Sequence, residues 1–179
     1  CDGKLIICGT HLQGSLDCLA AMYGTQSLLT DMAMEPDAVL RALAQIDEAL
    51  AEVRIALAGA LDVSTWGSLN RFGMYSSGVI DVPQCDLSCM ISAEMFRTFE
   101  SLSLDKEIAG TSASIYHLDG PDALQHLENI CAIDRLDMIQ WMPGEGYYEN
   151  DWSELNSRID SLGKGQIFQP YYKQSAADI

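Results

Sequence analysis

The sequence predicts an α/β protein built from parallel strands, and three observations support this fold class. Short apolar runs recur along the chain, and each run ends in polar residues together with Gly or Pro. A segment with helical periodicity follows most of these runs. The runs are short and nearly continuous rather than alternating, which is typical of parallel strands that are covered on both faces. Strand and helix in alternation indicate βαβ units.

Five apolar runs are predicted to be strands. They span residues 4–8, 78–82, 113–116, 136–141 and 165–168. A doubly wound sheet and a (β/α)8 barrel both bring the residues that follow parallel strands to one edge, where ligands bind. A closed barrel needs eight strands, so five strands in 179 residues predict an incomplete barrel if that architecture applies. The sequence shows no repeat or linker, and we expect residues 1–179 to form one domain.

The predicted helices carry recognisable start signals and apolar faces. The longest spans about 36–57, with Pro36 in its first turn, where the missing N–H of proline costs nothing. Its predicted inner face recurs at steps of three and four residues and consists of Val39, Leu40, Leu43, Ile46, Leu50, Val53 and Leu57. Further helices are predicted to start at Ser92, near Pro121 and after Asp151.

Composition excludes some partner classes. The chain has 26 Asp and Glu against 10 Lys and Arg, a formal charge of -16, and such a surface repels nucleic acid phosphates and anionic lipid. No run approaches the ~20 apolar residues that a membrane span requires. Six irregularly spaced cysteines, most of them in or beside apolar runs, indicate reduced thiols rather than a disulfide framework. We therefore expect a cytoplasmic protein with no nucleic acid or membrane partner.

The candidate functional residues follow the predicted strands, because these positions converge at one edge of a parallel sheet. His117, Asp86 and Asp119 are the candidate catalytic residues, since imidazole and carboxylate groups carry acid–base chemistry. The candidate substrate-binding residues are His11, Gln84, Gln140, Trp141 and Glu145.

Each candidate also has a purely structural interpretation. Asp119 can cap the helix that starts near Pro121 while His117 packs locally, and Asp86 can stabilise its own turn. His11 can be an ordinary loop residue, Trp141 a core residue and Glu145 a solvated carboxylate. These alternatives stay open on the sequence alone.

Four segments of the chain resemble the uroporphyrinogen decarboxylase superfamily. They are residues 11–24 (HLQGSLDCLAAMYG), 84–88 (QCDLS) together with 92–96 (SAEMF), 115–121 (IYHLDGP) and 139–144 (IQWMPG). Within that superfamily, the segments are most similar to the decarboxylase-like proteins and the cobamide-dependent methyltransferases. The resemblance implies a (β/α)8 barrel of which this chain is the middle to C-terminal part, with about five βα units present.

The resemblance implies two kinds of chemistry. The methyltransferases activate a thiol on zinc held by a His-x-Cys pair and a later Cys; here His117 matches the histidine, and Asp119 stands in the cysteine position. His117 and Asp119 are therefore the candidate metal ligands, with zinc as the candidate ion. The decarboxylases bind a tetrapyrrole carboxylate through an N-terminal Arg-rich motif, which does not occur in this sequence. Their aspartate corresponds best to Asp86.

Three functions follow as hypotheses. The leading one is an enzyme of methyl transfer linked to a corrinoid carrier, with a small-molecule substrate and a corrinoid protein as candidate partner. The second is a decarboxylase of a tetrapyrrole or of a smaller carboxylic acid. The third is a catalytically silent barrel fragment that binds a ligand or a partner. Unpaired strand edges of an open barrel also make a homodimer an expectation.

Overall fold

The computed structural model describes residues 5–167, which form a mixed α/β structure with a parallel sheet and many helices. The predicted positions at the chain ends, Lys4 and Phe168, lie outside the described residues. The α-helices are α1 Ser15–Tyr23, α2 Thr25–Met34, α3 Pro36–Ala60, α4 Val63–Trp66, α5 Ala93–Phe99, α6 Ser101–Ala109, α7 Leu127–Cys131 and α8 Ser153–Ser161. The strands are β1 Ser68–Leu69, β2 Tyr75–Ser76, β3 Ile80–Asp81, β4 Ala113–Asp119, β5 Met138–Met142 and β6 Gly165–Ile167, and 3-10 helices span Asp86–Met90 and Pro121–His126.

The central sheet contains β3, β4, β5 and β6 in chain order, and every neighbouring pair is parallel. The register places Ile80 opposite Ala113 and Met138 opposite Gly165. A helix crosses between each pair of successive strands, as the alternating sequence pattern predicts. The four predicted strands in this sheet are confirmed as parallel strands, although β3 is only two residues long.

The segments before β3 form a separate unit next to the central sheet. Cys8 forms an isolated parallel bridge with Leu69, and β1 pairs with β2 in a short antiparallel hairpin. The Ser68 hydroxyl connects β1 to the strand β3, because it donates to the Gly78 carbonyl at 2.7 Å and accepts from the Ile80 N–H at 2.9 Å. The prediction of a full strand over 4–8 is wrong for its described part, which has only this single bridge and three exposed apolar residues before it.

The two faces of β4 and β5 differ in character. Tyr116, Leu118 and Ile139 point toward the helices and belong to the main hydrophobic core. His117 and Gln140 alternate with them and therefore lie on the opposite face of the sheet. The sheet thus has one face that packs on helices and one that carries polar side chains.

The long helix α3 shows how far the apolar pattern was reliable. Val39 and Leu43 are buried near the helix start, where α1 and α2 pack against it. Leu40 and Val53, both predicted to face inward, have exposed fractions of 37% and 44%. The helices α4 and α6 contact α3 farther along but leave these two side chains exposed, so the predicted seven-residue inner face is wrong at Leu40 and Val53. No helix of the described region is both long enough and apolar enough to cross a bilayer.

Candidate functional site

Six residues from successive segments gather at the carboxyl ends of the strands. His117 and Asp119 end β4, Gln140 lies beside His117 on β5, and Asp86 opens the 3-10 helix that follows β3. His11 follows the bridge at Cys8, and Arg71 follows β1. We refer to these six residues as the edge cluster.

His117 makes the most specific contact of the edge cluster. Its Nδ1 lies in hydrogen-bond contact with Oε1 of Gln140, the residue directly opposite in the β4–β5 register. The Gln140 amide nitrogen donates to the Trp141 carbonyl at 3.2 Å, so Oε1 must be the acceptor toward the imidazole. His117 therefore carries its proton on Nδ1. This tautomer leaves Nε2 as a free acceptor.

Burial lowers the pKa of His117, and the positive charge of Arg71 lowers it further, against the opposing effect of the Gln140 contact and of Asp119 and Asp86. The pKa of His11 is lowered by the same two causes, burial first and Arg71 second. His117 also contributes to the lowered pKa of His11, so the two imidazoles are close enough to interact electrostatically. Both rings are consequently uncharged near neutral pH. His11 Nε2 is buried and has no hydrogen-bond partner among the described residues.

Asp86 is held in place from a distant part of the chain. The Asp17 carboxylate, buried in α1, accepts the N–H groups of Asp86 at 2.8 Å and of Leu87 at 2.9 Å. These two N–H groups stand at the start of the 3-10 helix and are otherwise unsatisfied. Asp17, which is 69 residues before Asp86 in sequence, therefore caps this 3-10 helix. Gln84 donates to the Asp86 carboxylate at 2.9 Å, which confirms that these two candidates lie together. The Asp86 side chain itself is exposed to solvent.

Arg71 is a residue of this site that sequence reasoning missed. Asn70 builds the loop around it, since its Oδ1 accepts the N–H groups of Phe72 and Met74, both at 3.0 Å. The Arg71 guanidinium lies over the Phe72 ring, 5.3 Å from its centre, and that ring lies 6.4 Å from the His117 ring. The available signal was a polar Asn-Arg pair after a two-residue strand. That strand is too short to stand out as an apolar run.

Two predicted binding residues lie away from the edge cluster. Trp141 alternates with Gln140 on β5 and packs its ring edge-on against Trp152, with ring centres 5.0 Å apart, beside the hydrophobic core. Glu145 is exposed in the loop after β5, and no described contact connects it to His117 or Asp86. For both residues the structure favours the alternative of a structural or solvated side chain, and a binding role stays a prediction.

The candidate metal ligands do not form a complete metal site. Within residues 5–167, no group of three or more His, Cys, Asp and Glu side chains has an arrangement that could hold an ion. His117 and Asp119 supply two donors where a structural or catalytic zinc uses three or four protein ligands. Zinc at His117 and Asp119 stays a prediction, and no chemical step is assigned to it.

The five cysteines of the described region are free thiols. Cys85 and Cys131 are buried, and burial raises the pKa of both, that of Cys131 to about 11. Cys8 and Cys89 are exposed, so the expectation of buried thiols holds only for some of them.

Comparisons with known proteins give no relative for this chain, because no family model, no curated protein and no solved structure matches it. What the fold and site define is an α/β protein whose parallel sheet collects imidazole, carboxylate, amide and guanidinium groups at one edge.

Proposed function

We propose that the chain forms part of a (β/α)8 barrel of the uroporphyrinogen decarboxylase-like superfamily. Strand order supports this architecture over a doubly wound sheet. A doubly wound sheet reverses its strand order at a switch point, whereas a barrel adds each strand beside the previous one. The strands β3, β4, β5 and β6 of the central sheet follow one another without reversal, and the bridge between Cys8 and β1 is also parallel. Crossovers of one hand then place all helices on one face and leave the other for a barrel interior.

The proposed activity is methyl transfer between a corrinoid carrier and a small-molecule thiol. The observation that carries it is the free Nε2 of an uncharged His117 beside Asp86 at the open edge of the sheet. A thiol must lose its proton to become a good nucleophile. His117 Nε2 takes that proton, the sulfur forms a bond to the methyl carbon, and the electron pair of the broken carbon–cobalt bond stays on the corrinoid.

The neighbouring residues have supporting roles in this proposal. Gln140 fixes the tautomer and orientation of His117, and the Asp86 carboxylate stabilises the imidazolium that forms when the proton arrives. Asp119 adds a second negative charge at the end of β4, and His11 lines the same region. Gln84 holds Asp86 through its amide.

The test uses methylcobalamin with 2-mercaptoethanol and follows the loss of the methylcobalamin absorbance. The wild-type protein is compared with His117→Asn and Gln140→Ala, and with Gln45→Ala, an exposed position on α3, as the matched control. We expect His117→Asn to lose at least about 100-fold in rate, because a positioned base contributes 10²–10⁴-fold. Gln140→Ala should lose less, and Gln45→Ala nothing. Equal rates in wild type and His117→Asn would exclude His117 as the base.

Decarboxylation of a small carboxylic acid is the second candidate function. It is favoured by Arg71, the one Lys or Arg side chain among the described residues that acts electrostatically on both imidazoles. One guanidinium suits one carboxylate, and a tetrapyrrole with many carboxylates needs more cations. Release of carbon dioxide from an acid without any methyl donor would establish this function instead. Ligand binding with neither reaction would identify a silent binding protein.

A further inference from the structure

Arg71 is exposed and lies in the edge cluster, where its guanidinium packs over the Phe72 ring. Its guanidinium has five donors, and in the described part of the chain these donors form no ion pair, while the group packs over the face of the Phe72 ring. No carboxylate pairs with it, in a chain where 26 acidic residues stand against 10 basic ones. Asp81 and Asp86 act on Arg71 electrostatically and oppose the lowering of its pKa by burial, but neither forms an ion pair with it, so its donors are available for an anion.

A small pocket lies directly beside this guanidinium. It is lined by residues that follow the bridge at Cys8, residues at or directly after the end of β1 and residues in or directly after β3: Gly9, Thr10, His11, Leu69, Asn70, Arg71, Ile80, Asp81 and Val82. Its volume is about 30 Å³. Because one water needs roughly 10–15 Å³ on the same measure, the pocket has room for two or three heavy atoms and not for a whole metabolite.

Two unpartnered polar atoms belong to the residues that line this pocket. Asn70 is 5% exposed, and its Nδ2 donor is buried without a hydrogen-bond partner. His11 Nε2 is likewise buried and unpartnered, and it becomes a donor in the tautomer that carries the proton there. A buried donor without an acceptor costs free energy, so a ligand that accepts from these groups is favoured.

The loop that presents these groups is fixed before any ligand arrives. The two N–H groups that Asn70 Oδ1 accepts, together with the Asn70 N–H bond to Met74 O and the Gly73 N–H bond to Asn70 O, close the loop from residue 70 to 74. Gly73 adopts a φ of 74°, a conformation that glycine reaches without strain. Little conformational entropy remains to be lost on binding.

We propose that Asn70 and Arg71, with His11, form a carboxylate subsite that binds the acid group of a small monocarboxylic substrate. This inference rests on the proposed function, because it takes the edge cluster to be the reaction site. The carboxylate enters the pocket and the rest of the molecule lies over His117 and Asp86. Inorganic phosphate offers similar oxygens, but the small volume and Asp81 in the pocket wall disfavour a bulky dianion.

The test is an NMR titration of the ¹⁵N-labelled protein with sodium acetate at constant ionic strength, followed at the amides of Gly9, Asn70 and Gly73. We compare wild type, Arg71→Gln and Arg135→Gln. The Arg135 side chain is exposed and precedes β5 at the opposite end of the sheet, so its loss removes the same charge elsewhere. Acetate should give saturable shifts in wild type and Arg135→Gln, with at least about tenfold weaker binding in Arg71→Gln because a charge-assisted bond is lost.

A second variant and a second anion keep the proposal falsifiable. Asn70→Asp keeps the oxygen that accepts the two loop N–H groups and places a carboxylate in the pocket, and it should abolish acetate binding. Inorganic phosphate should bind more weakly than acetate. Tighter phosphate binding, or acetate shifts that are equal in Arg71→Gln and wild type, would overturn the carboxylate subsite.

The outcomes also separate this subsite from the proposed function. Acetate binding that depends on Arg71, in a protein without methyl transfer, would refute the methyl-transfer reaction and keep the subsite. Methyl transfer that depends on His117, together with acetate binding that is unchanged in Arg71→Gln, would support the proposed reaction and refute the subsite.

Discussion

Two groups of charged residues in this protein are arranged in opposite ways. Between α3 and α6, Arg54 pairs with Glu107 at 2.6 Å, and Lys106 pairs with Asp47 at 2.8 Å. The Ser15 hydroxyl adds a bond to Asp47 at 2.6 Å. In the edge cluster, by contrast, Arg71 forms no ion pair among the described residues, and His11 Nε2 is buried without a hydrogen-bond partner.

The difference indicates which group stabilises the fold and which is available to a ligand. Removing one partner of a buried ion pair lowers the free energy of unfolding, because the other charge is left buried and uncompensated. A charge without a partner contributes little to the fold, and its removal should change binding instead. The predictions below test this contrast from the largest expected effect to the smallest.

Arg54→Ala should destabilise the protein by about 3 kcal/mol at pH 9, the scale of a broken buried ion pair. The loss should be smaller at pH 6, because Glu107 is then protonated and needs no partner. Arg71→Ala, the matched control in the edge cluster, should change the free energy of unfolding by less than about 0.5 kcal/mol. Urea unfolding of the three proteins measures both values. Similar losses in the two variants would remove the contrast.

Asp17→Ala should cost about 2 kcal/mol, because the buried N–H groups of Asp86 and Leu87 lose their acceptor. Asp17 is a positioning residue, so the variant should also shift the ring resonances of His117, which senses the Asp86 charge. Thermal unfolding and histidine NMR read the two effects. Asp31→Ala on α2, which removes a carboxylate bonded to the exposed Tyr23 hydroxyl, is the control. A loss of stability with unchanged His117 signals would show that Asp17 does not position Asp86.

Glu107 should make stability depend on pH. Burial raises its pKa from 4.5 to about 8, despite the opposing effect of Arg54. Unfolding therefore releases a proton between these values, and the free energy of unfolding falls as pH rises through that window by at most about 1.4 kcal/mol per pH unit. Glu107→Gln should flatten this slope. Some slope should remain, because burial also raises the pKa of Glu100. An unchanged slope would mean that Glu107 is ionised throughout.

Much of the fold could be predicted from sequence because the signals were local. The strands β4, β5 and β6 overlap the predicted runs, and Ser92 does cap α5, since its hydroxyl oxygen accepts the Met95 N–H at 3.2 Å. The helix predicted near Pro121 begins as a 3-10 helix and becomes α-helical only at Leu127. The helix predicted after Asp151 starts at Ser153, whose N–H the Asp151 carboxylate accepts at 2.9 Å.

The rest of the site depended on contacts that no local pattern reveals. The pairing of His117 with Gln140 follows from strand register, and the convergence of Asp86 with these residues follows from parallel strands, so both were predictable. In the sequence Asp17 looks like an ordinary helix residue, because its two hydrogen-bond partners lie 69 and 70 residues away. Arg71 was missed because a two-residue strand carries no periodicity. Trp141 alternates with Gln140 on β5, so the two side chains lie on opposite faces of the sheet, and its binding role stays a prediction.

His11, Arg71 and His117 are far apart in sequence, and the proposed site requires that they meet at one edge of the sheet. The most direct test is an NMR pH titration of the two imidazoles in wild type, Arg71→Gln and Arg135→Gln. We predict that both pKa values lie below the ordinary 6.5 in wild type and that both rise in Arg71→Gln, because a nearby positive charge has been removed. Arg135→Gln should leave them unchanged. Imidazole pKa values that respond equally to the two arginine variants, or to neither, would contradict the claim.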